Sequence, residues 1–238
     1  MPDALYQTLD TLSASTRYNA WIHAVIKKHL SGKILDIGSG LGDITQLFLD
    51  NPAVTEVTAS DYTAPMISAL QNKFSAMPRM KVARLDITDR SSLGKIPTGG
   101  FDTVTCLNII EHISDDVEAL RHIHSLLNPR GRLVVLTPAF PGLYGSLDAL
   151  VGHYRRYTKK SLSAAAAKAG FKVAAIFYMN MFGTITWFIA GKILKQKQFN
   201  KNACRCLDQA VPLLQTLEKG APPPFGQSVV MVCAKSKS

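Results

Sequence analysis

Residues 35–43 combine glycines and carboxylates in a pattern that could hold a nucleotide-type cofactor. Gly38, Gly40 and Gly42 occupy alternate positions directly after a short apolar run, and Asp36 lies two residues before the first of them. Glycines let a backbone pass close to a ligand and adopt positive φ values without steric cost. A strand, a glycine turn and a helix start in this order predict a nucleotide-type site. The spacing differs from the Gly-x-Gly-x-x-Gly fingerprint of dinucleotide binding, and a glycine-rich turn without a ligand is the alternative.

Apolar runs alternate with helical patterns before and after this turn. After an amphipathic helix at 18–30, the patterns predict strands at 33–37, 54–59, 80–84, 101–107 and 132–136. Helices are predicted between them at 41–49, 65–74 and 115–127. This alternation predicts an α/β fold in which a parallel, doubly wound sheet carries helices on both faces.

Polar residues and the glycine turn follow the carboxyl ends of four predicted strands. Gly38 follows the first strand, Asp61 the second, Asp86 the third and Asn108 the fourth. Open α/β sheets bind ligands beyond the carboxyl ends of their strands, so the four placements agree on one edge as the ligand site. Simpler roles stay open, because Asp61 could cap the helix that starts near Pro65 and Asp86 could be an ordinary turn residue.

The second half of the chain departs from this alternation of strands and helices. A long loop at 137–158 is rich in aromatic and basic residues. Such loops in compact domains are usually functional or disordered, and the density of aromatic residues argues against disorder. After it we predict a helix at 159–169, a strand at 171–178, apolar helices at 180–194 and 203–217, and a last strand at 227–234.

No linker and no internal repeat divides the sequence, which favours one domain over residues 1–238. The predicted core is a Rossmann-like, seven-stranded, mostly parallel sheet formed by 33–178 and 226–234. An N-terminal helical cover at 1–32 and a helical cover inserted before the last strand at 179–225 complete it.

The composition points to an anionic partner. The net charge is +10, with basic clusters at 155–160 and from Lys192 to Arg205. Phosphate, nucleic acid and a membrane surface are the anionic partners to consider. Four cysteines fit neither a zinc template nor a disulfide framework, and no metal site is predicted. Residues 1–10 show no signal-peptide pattern, so we predict a cytoplasmic protein.

One uncharged stretch, 173–191, approaches the length of a membrane span. Asn180 and Gly183 interrupt it, which favours a buried strand followed by an apolar helix. Apolar residues lie beside several lysines in 180–205. This pattern predicts, as an alternative, that the segment contacts the inner face of a membrane peripherally.

Several motifs together resemble the class I S-adenosylmethionine (SAM)-dependent methyltransferases, in their small-molecule branch. The first is Leu35-Asp36-Ile37-Gly38-Ser39-Gly40-Leu41-Gly42, and the second is Asn108-Ile109-Ile110-Glu111-His112-Ile113. The loop that contains Gly152-His153-Tyr154-Arg155-Arg156-Tyr157 is similar to a bacterial subgroup of this family. The resemblance covers nearly the whole chain.

The resemblance implies a SAM site at the carboxyl edge of the sheet. The methionine end of SAM would lie on the turn, Asp61 would bind the ribose, and Asp86 would bind the adenine amino group. The implied cofactor-binding residues are Asp36, Gly38, Ser39, Gly40, Gly42, Asp61, Tyr62, Asp86, Ile87 and Asn108.

Two histidines are candidates for acid–base catalysis. A hydroxyl acceptor generally needs a base, which is most often histidine, whereas a neutral amine attacks without one. His153, in the loop after the fifth strand, is the first candidate and His112 the second. Loop packing for His153 and a core position for His112 are the alternatives.

Arginines beside aromatic residues suit a carboxylate or phosphate on the acceptor. The candidate acceptor-binding residues are Tyr18, Tyr144, Tyr154, Arg155, Arg156 and Tyr157. A solvated basic loop, or an ion pair with Asp148, is the alternative for the two arginines.

The sequence thus predicts a methyltransferase that acts on an oxygen or nitrogen of a small molecule. A sugar, a lipid-linked compound or a secondary metabolite with an anionic or apolar character is the expected acceptor. The alternatives are an RNA or protein methyltransferase and a SAM-binding membrane-surface protein without catalysis. Nucleic acid is disfavoured, because no separate nucleic-acid module and no Asn/Asp-Pro-Pro-Tyr/Phe motif is present.

Overall fold

The computed structural model describes residues 15–198, 201–220 and 222–235. Its seven strands, within those ranges, form one sheet in the order β3-β2-β1-β4-β5-β7-β6. The strands are β1 (Gly32–Ile37), β2 (Val54–Asp61), β3 (Met80–Arg84), β4 (Phe101–Leu107), β5 (Leu127–Pro138), β6 (Phe171–Met179) and β7 (Ser228–Lys235). β7 runs antiparallel to both of its neighbours, and the other recorded pairings are parallel. The predicted fold class is confirmed.

Helices connect and cover these strands. They are α1 (Thr16–Ile26), α2 (Ala64–Phe74), α3 (Arg90–Leu93), α4 (Asp116–Leu126), α5 (Ser146–Leu150), α6 (Lys159–Lys168), α7 (Met181–Phe188) and α8 (Lys201–Glu218). A π-helical segment, Ile189–Ile193, continues α7. The predicted division into one domain with two helical covers stays a prediction, and residues 1–14 of the N-terminal cover lie outside the described residues.

The core lies on both faces of the sheet because side chains of a strand alternate between its faces. On one face Leu35 and Leu133 pack with residues of α4 and α6. On the other face Ile34 and Val134 pack with residues of α1 and α2. All four side chains are fully buried, which fixes the register of the two central strands.

Local signals in the sequence set the helix boundaries. Asp115 accepts a hydrogen bond from the Glu118 N–H at the start of α4, and Thr158 accepts one from the Ser161 N–H at the start of α6. Such caps satisfy backbone N–H groups that have no partner inside the helix. The carboxylate of Asp208 in α8 accepts from the Tyr18 N–H at 2.9 Å, which ties α8 to the start of α1.

One predicted helix is wrong. The segment after the glycine turn, expected as a helix over 41–49, is a turn followed by a 3-10 helix at Thr45–Asp50. Thr45 directs its hydroxyl to the buried carboxylate of Asp36, so this contact holds the segment close to the end of β1.

Candidate functional site

The glycine turn leaves β1 in left-handed backbone conformations. Gly38, Gly40 and Gly42 have φ values of +69°, +54° and +73°. A Cβ at Gly38 would collide with the side chain of Ile109, whereas no described atom lies within 4 Å of the corresponding point at Gly40. The turn is therefore packed against the protein at Gly38 and open at Gly40, where a ligand can approach the backbone.

Asp36 holds this turn in place. Its carboxylate is 4% exposed and accepts hydrogen bonds from the hydroxyls of Ser39, Thr45 and Thr105. Burial raises the pKa of Asp36, and the three hydroxyl donors oppose that shift. The Ser39 N–H donates to the Ser60 carbonyl at 2.8 Å. The structure thus shows how Asp36 orients the turn, as predicted, while the bond that it was also expected to make to SAM stays a prediction.

Asp61 and Tyr62 lie where the sequence placed them, at the end of β2. Asp61 is 7% exposed, and its Oδ1 accepts from both the N–H and the hydroxyl of Thr63 at 2.9 Å. The alternative role of Asp61, as the cap of the next helix, does not occur in the described structure, because Thr63 occupies the N-cap position. Tyr62 is 56% exposed beside it, so its ring is accessible to a ligand.

Asp86 and Ile87 follow β3 in the same way. Asp86 accepts from the Thr88 N–H and hydroxyl, and Ile87 is buried. The ring of His122 contacts the Ile87 carbonyl at 2.7 Å and fixes this segment against α4. Four strand ends thus meet at one edge of the sheet, where Asn108 completes the row with a left-handed φ of +55°.

A cavity of about 340 Å³ opens at this edge. The glycine turn and Asn108 line it, together with His112, His153 and Arg156. We call it the main cavity. It brings the predicted cofactor turn and both candidate bases to one open cavity.

The acid–base group is assembled from two segments. The 3-10 turn Ile110–His112 contributes Glu111 and His112, and the loop after β5 contributes His153. The Tyr154 N–H donates to the Glu111 carbonyl at 2.8 Å, which holds the loop against the turn. The rings of His112 and His153 lie edge to face with centroids 4.7 Å apart.

Asp148 orients His153. The Nδ1 of His153 lies 2.8 Å from Oδ1 of Asp148, and Nε2 faces Oε1 of Glu111 at 3.9 Å. Because a carboxylate only accepts, this contact assigns the proton to Nδ1 and leaves the Nε2 lone pair toward Glu111. Burial opposes ionisation of Asp148, yet hydrogen bonds from His153 and Arg156 hold its pKa below the usual value.

Asp148 is saturated with donors. Besides His153, it accepts from Arg156 Nε at 2.7 Å, the Gly145 N–H at 3.0 Å and Trp187 Nε1 at 3.1 Å. The guanidinium of Arg156 also stacks over the Trp187 ring, 4.8 Å from its centroid. The carboxylate therefore stays ionised although it is buried, and it can stabilise positive charge on His153.

Burial changes the proton affinity of both neighbours of His153. It raises the pKa of Glu111 to about 7, against the opposing effect of His153. It lowers the pKa of His112 to about 4, and the nearby His153 adds to that shift. His112 is thus neutral near pH 7, and Glu111 exchanges its proton in that range.

Two buried polar atoms beside the cavity have no hydrogen-bond partner in the part of the chain that the structure describes. They are Oε1 of Glu111, an acceptor, and Nη2 of Arg156, a donor. Native proteins rarely leave such atoms unpaired. Both residues line the main cavity, so a ligand there can satisfy them.

The sequence predicted no metal site and no cluster of carboxylates and histidines. The structure corrects the second expectation, because Glu111, His112 and His153 lie together. One potential ligand atom from each lies within 4.8 Å of the others. Sequence spacing hid this cluster because the loop and the turn meet only in the folded chain. The same three groups also suit proton transfer, and the absence of a functional metal stays a prediction.

The six predicted acceptor-binding residues divide into two groups. Tyr18 and Arg156 line the main cavity. The other four do not line it in the described structure, and their role in acceptor binding stays a prediction. Arg155 binds the Ser114 carbonyl and Asp116 at the start of α4, and the Tyr157 hydroxyl binds Asp116 as well.

The remaining two lie elsewhere on the same loop. Tyr154 is 62% exposed, and the Tyr144 hydroxyl donates to the His153 carbonyl at 2.8 Å. Tyr144 therefore supports His153 through the backbone. Sequence reasoning missed Glu111, Asp148 and Trp187 as site residues, although Glu111 stands beside His112 in a motif that the family resemblance singled out.

Comparison with known proteins agrees with the fold. Residues 35–133 match a family model described as a methyltransferase domain, a region that runs from β1 into β5. The fold and this match agree with the class I SAM-dependent methyltransferases, the family that the sequence motifs resemble. That part of the prediction is confirmed, and SAM is the cofactor of the family.

Two relatives illustrate the range of the match. The chain is 31% identical over 132 residues to the demethylmenaquinone methyltransferase of Thermus thermophilus. This match covers 55% of this chain and 56% of the relative. It is 31% identical over 139 residues to the rat glycine N-methyltransferase, covering 53% of this chain and 47% of that one. The chain thus spans about half the length of these curated relatives, and only 4% of a polyketide synthase from Strobilurus tenacellus.

Solved structures share the fold over most of the chain. The YcgJ protein of Bacillus subtilis has a TM-score of 0.61 at 15% identity, covering 92% of this chain and 99% of that one. The SAM complex of phosphoethanolamine N-methyltransferase 2 from Haemonchus contortus has a TM-score of 0.61 at 16% identity, covering 90% and 52%.

Proposed function

We propose that this protein transfers a methyl group from SAM to an oxygen or nitrogen of a small-molecule acceptor. The observation that carries the proposal is the main cavity, which joins an open glycine turn to an oriented histidine base. A sugar, a lipid-linked compound or a secondary metabolite with anionic or apolar groups fits this cavity. Cytoplasmic placement, with peripheral contact to a membrane, belongs to the same proposal, and no helix within the described ranges is long and apolar enough to span a bilayer.

The residues at the strand ends fit SAM. The open backbone at Gly40 allows close approach of the methionine part, and the Asp61 carboxylate offers oxygen acceptors for the ribose hydroxyls. The half-buried Asp86 and the buried Ile87 would hold the adenine, with the exposed Tyr62 against its ring. When bound there, SAM supplies a methyl group on a positively charged sulfur.

The protein's own contribution is positioning and proton removal. Methyl transfer is an in-line displacement, and holding the reactants in line is worth about 7–11 kcal/mol at best. Nε2 of His153 would accept the proton of an acceptor hydroxyl. Asp148, at 2.8 Å from Nδ1, would stabilise the imidazolium that forms.

The unpaired atoms beside the cavity support an acceptor with both kinds of hydrogen-bonding group. Nη2 of Arg156 would donate to an acidic or carbonyl oxygen, and Oε1 of Glu111 would accept from a hydroxyl or amine. The stacking of Arg156 on Trp187 fixes the direction of its guanidinium. These contacts would orient the nucleophile toward His153.

Carbon methylation is a second candidate, favoured by the base and by the names of similar proteins. The chain is 26% identical over 113 residues to a protein of Geotalea uraniireducens that is named a C-methyltransferase of ubiquinone and menaquinone biosynthesis. A carbon next to a carbonyl must lose a proton before it attacks, as a hydroxyl does. The oriented His153 suits either acceptor, whereas an amine needs no base.

Calorimetric titration with S-adenosylhomocysteine tests the cofactor site. We expect saturable heat release, and its absence with both SAM and S-adenosylhomocysteine would overturn the proposal. Formation of S-adenosylhomocysteine from SAM, measured over a panel of small hydroxyl, amine and carbon-acid acceptors without polymer, then tests the reaction. Each assay is repeated with EDTA, and because the proposed chemistry uses His153 as a base, the rate should not change.

A further inference from the structure

A second cavity of about 200 Å³ lies beside the main cavity, between α7 and α8. Tyr18, Trp187 and Gln227 line both cavities, so the two adjoin. Most of the side chains that line the second cavity are apolar, among them Leu147, Phe182, Ala190, Leu207, Val211 and Leu214. A narrow apolar space next to a polar reaction chamber suits a molecule with a polar head and an apolar chain.

The wall of this cavity is a helix that is apolar on both of its faces. Trp187 and Ala190 face the second cavity. On the outer face Ile185, Phe188 and Ile193 are 53%, 45% and 61% exposed. A helix that is apolar all round normally lies in a protein core or in a membrane, yet this outer face lies on the surface of the described protein.

The positive charge of the chain is concentrated in the part of the sequence that contains this helix. Residues 149–207 contain eleven lysines and arginines and no acidic residue, whereas the rest of the chain has 16 basic and 17 acidic residues. The whole net charge therefore comes from this segment. Lys192, Lys195 and Lys197 are exposed directly after the apolar face.

These features favour a lipid surface over a protein partner. Interfaces between proteins are depleted of lysine at their cores, whereas helices that lie on membranes combine exposed apolar residues with lysines. We define the outer surface as Ile185, Phe188, Ile189, Lys192, Ile193, Lys195 and Lys197. Anionic lipid complements both its apolar and its basic groups.

We propose that the outer surface docks on an anionic lipid bilayer and that the second cavity receives the apolar chain of an acceptor drawn from it. The polar head would then reach the main cavity between Tyr18 and Trp187, which line both spaces. The docking step stands on the surface alone, and the chain-binding step rests on the proposed function.

Flotation with lipid vesicles tests docking, using the full chain saturated with S-adenosylhomocysteine. We expect the protein to float with vesicles that contain phosphatidylglycerol and to stay behind with pure phosphatidylcholine. Ile189→Gln with Ile193→Gln, and separately Lys192→Glu with Lys195→Glu, should reduce flotation about tenfold or more.

The matched control is Lys168→Glu with Lys172→Glu, which changes the charge equally on exposed residues of α6 and β6. This variant should float like the wild type. Docking is overturned if the wild type does not bind the anionic vesicles, or if the control loses binding as strongly as the outer-surface variants. Affinity for S-adenosylhomocysteine shows that each variant is folded.

Fluorescence of dansyl-labelled undecanoic acid tests the second cavity. We expect saturable binding that weakens about tenfold in Ala190→Phe, which fills the cavity, and in Leu207→Gln, which makes its wall polar. The control Ala164→Phe adds the same ring on an exposed position of α6 and should bind normally. No binding by the wild type, or equal affinity in all variants, overturns the chain site.

The experiments distinguish failure of the proposed function from failure of this inference. If S-adenosylhomocysteine does not bind, the proposed function fails. If it binds while neither vesicles nor the dansyl probe do, only this inference fails.

Discussion

The cofactor side and the acceptor side of the main cavity are built in different ways. The cofactor side of the main cavity uses residues that directly follow β1 and β4 in the sequence, and the open backbone at Gly40 offers the ligand surface. The acceptor side combines a 3-10 turn, a loop and α7, which meet only after folding. The first can be read along the chain, whereas the second depends on tertiary contacts such as the one between Asp148 and Trp187.

The largest expected effect falls on the acceptor side. His153→Ala should lower kcat about 10²–10⁴-fold, because removal of a general base typically costs that much. Affinity for S-adenosylhomocysteine should stay unchanged, since the recorded polar contacts of the His153 ring go to Asp148 and Glu111 and not to the glycine turn. Steady-state kinetics with calorimetry measure both quantities.

His124→Ala is the matched control, since it removes a half-buried histidine of α4 that does not line the main cavity, and it should retain activity. Unchanged turnover in His153→Ala would contradict the base assignment and indicate an amine acceptor that attacks unaided.

An intermediate effect is expected on the cofactor side. Asp61→Ala should weaken S-adenosylhomocysteine binding about tenfold to hundredfold, because hydrogen bonds to a charged group are worth about 1.5–3 kcal/mol. Calorimetric titration gives the affinity. Thr63→Val is the control: it removes hydroxyl donation to Asp61 but keeps the carboxylate. Equal affinities for wild type and Asp61→Ala would exclude Asp61 from the site.

The smallest effect concerns the pH dependence of stability. The pKa of Glu111 is raised to about 7 in the folded protein from an ordinary 4.5. Between these values the folded protein holds a proton that the unfolded chain releases, so this group's contribution to stability falls as pH rises. The slope is at most about 1.4 kcal/mol per pH unit. His112, with its pKa lowered to about 4, acts in the opposite sense between pH 4 and 6.5.

Chemical denaturation of the wild type and of Glu111→Gln separates the two groups. The stability advantage of the wild type should grow as the pH falls from 8 to 5, since only the wild type gains the proton. Glu56→Gln, which removes a carboxylate paired with Lys81, is the control and should show a constant difference. A constant difference for Glu111→Gln as well would contradict the raised pKa.

The sequence predicted the fold well because its signals are local. Alternating apolar runs and helix caps define β1 to β5, and the glycines mark the turn. The exception, the segment at 41–49, forms a 3-10 helix because the buried Asp36 carboxylate holds Thr45. No periodicity in the sequence reports such a contact.

The acceptor side was less predictable for a physical reason. The sequence Arg155-Arg156 gives two identical side chains, yet one turns outward to Asp116 and the other is buried against Asp148. Which arginine is buried depends on how the loop is held, for example by the bridge between Ala139 and Tyr157. Glu111 was overlooked for a similar reason. Only its burial in the folded chain raises the pKa of its carboxyl to about 7, and the sequence does not show this burial.

The bond from Trp187 to Asp148 also bears on how this protein can evolve. Trp187 belongs both to the wall that shapes the acceptor space and to the donor set that keeps Asp148 ionised. A substitution that enlarges the space for a new acceptor at this position removes a donor from the partner of His153 at the same time. A substitution at Trp187 therefore affects both the range of acceptors and proton transfer by His153. A variant with a larger acceptor space needs another donor to Asp148.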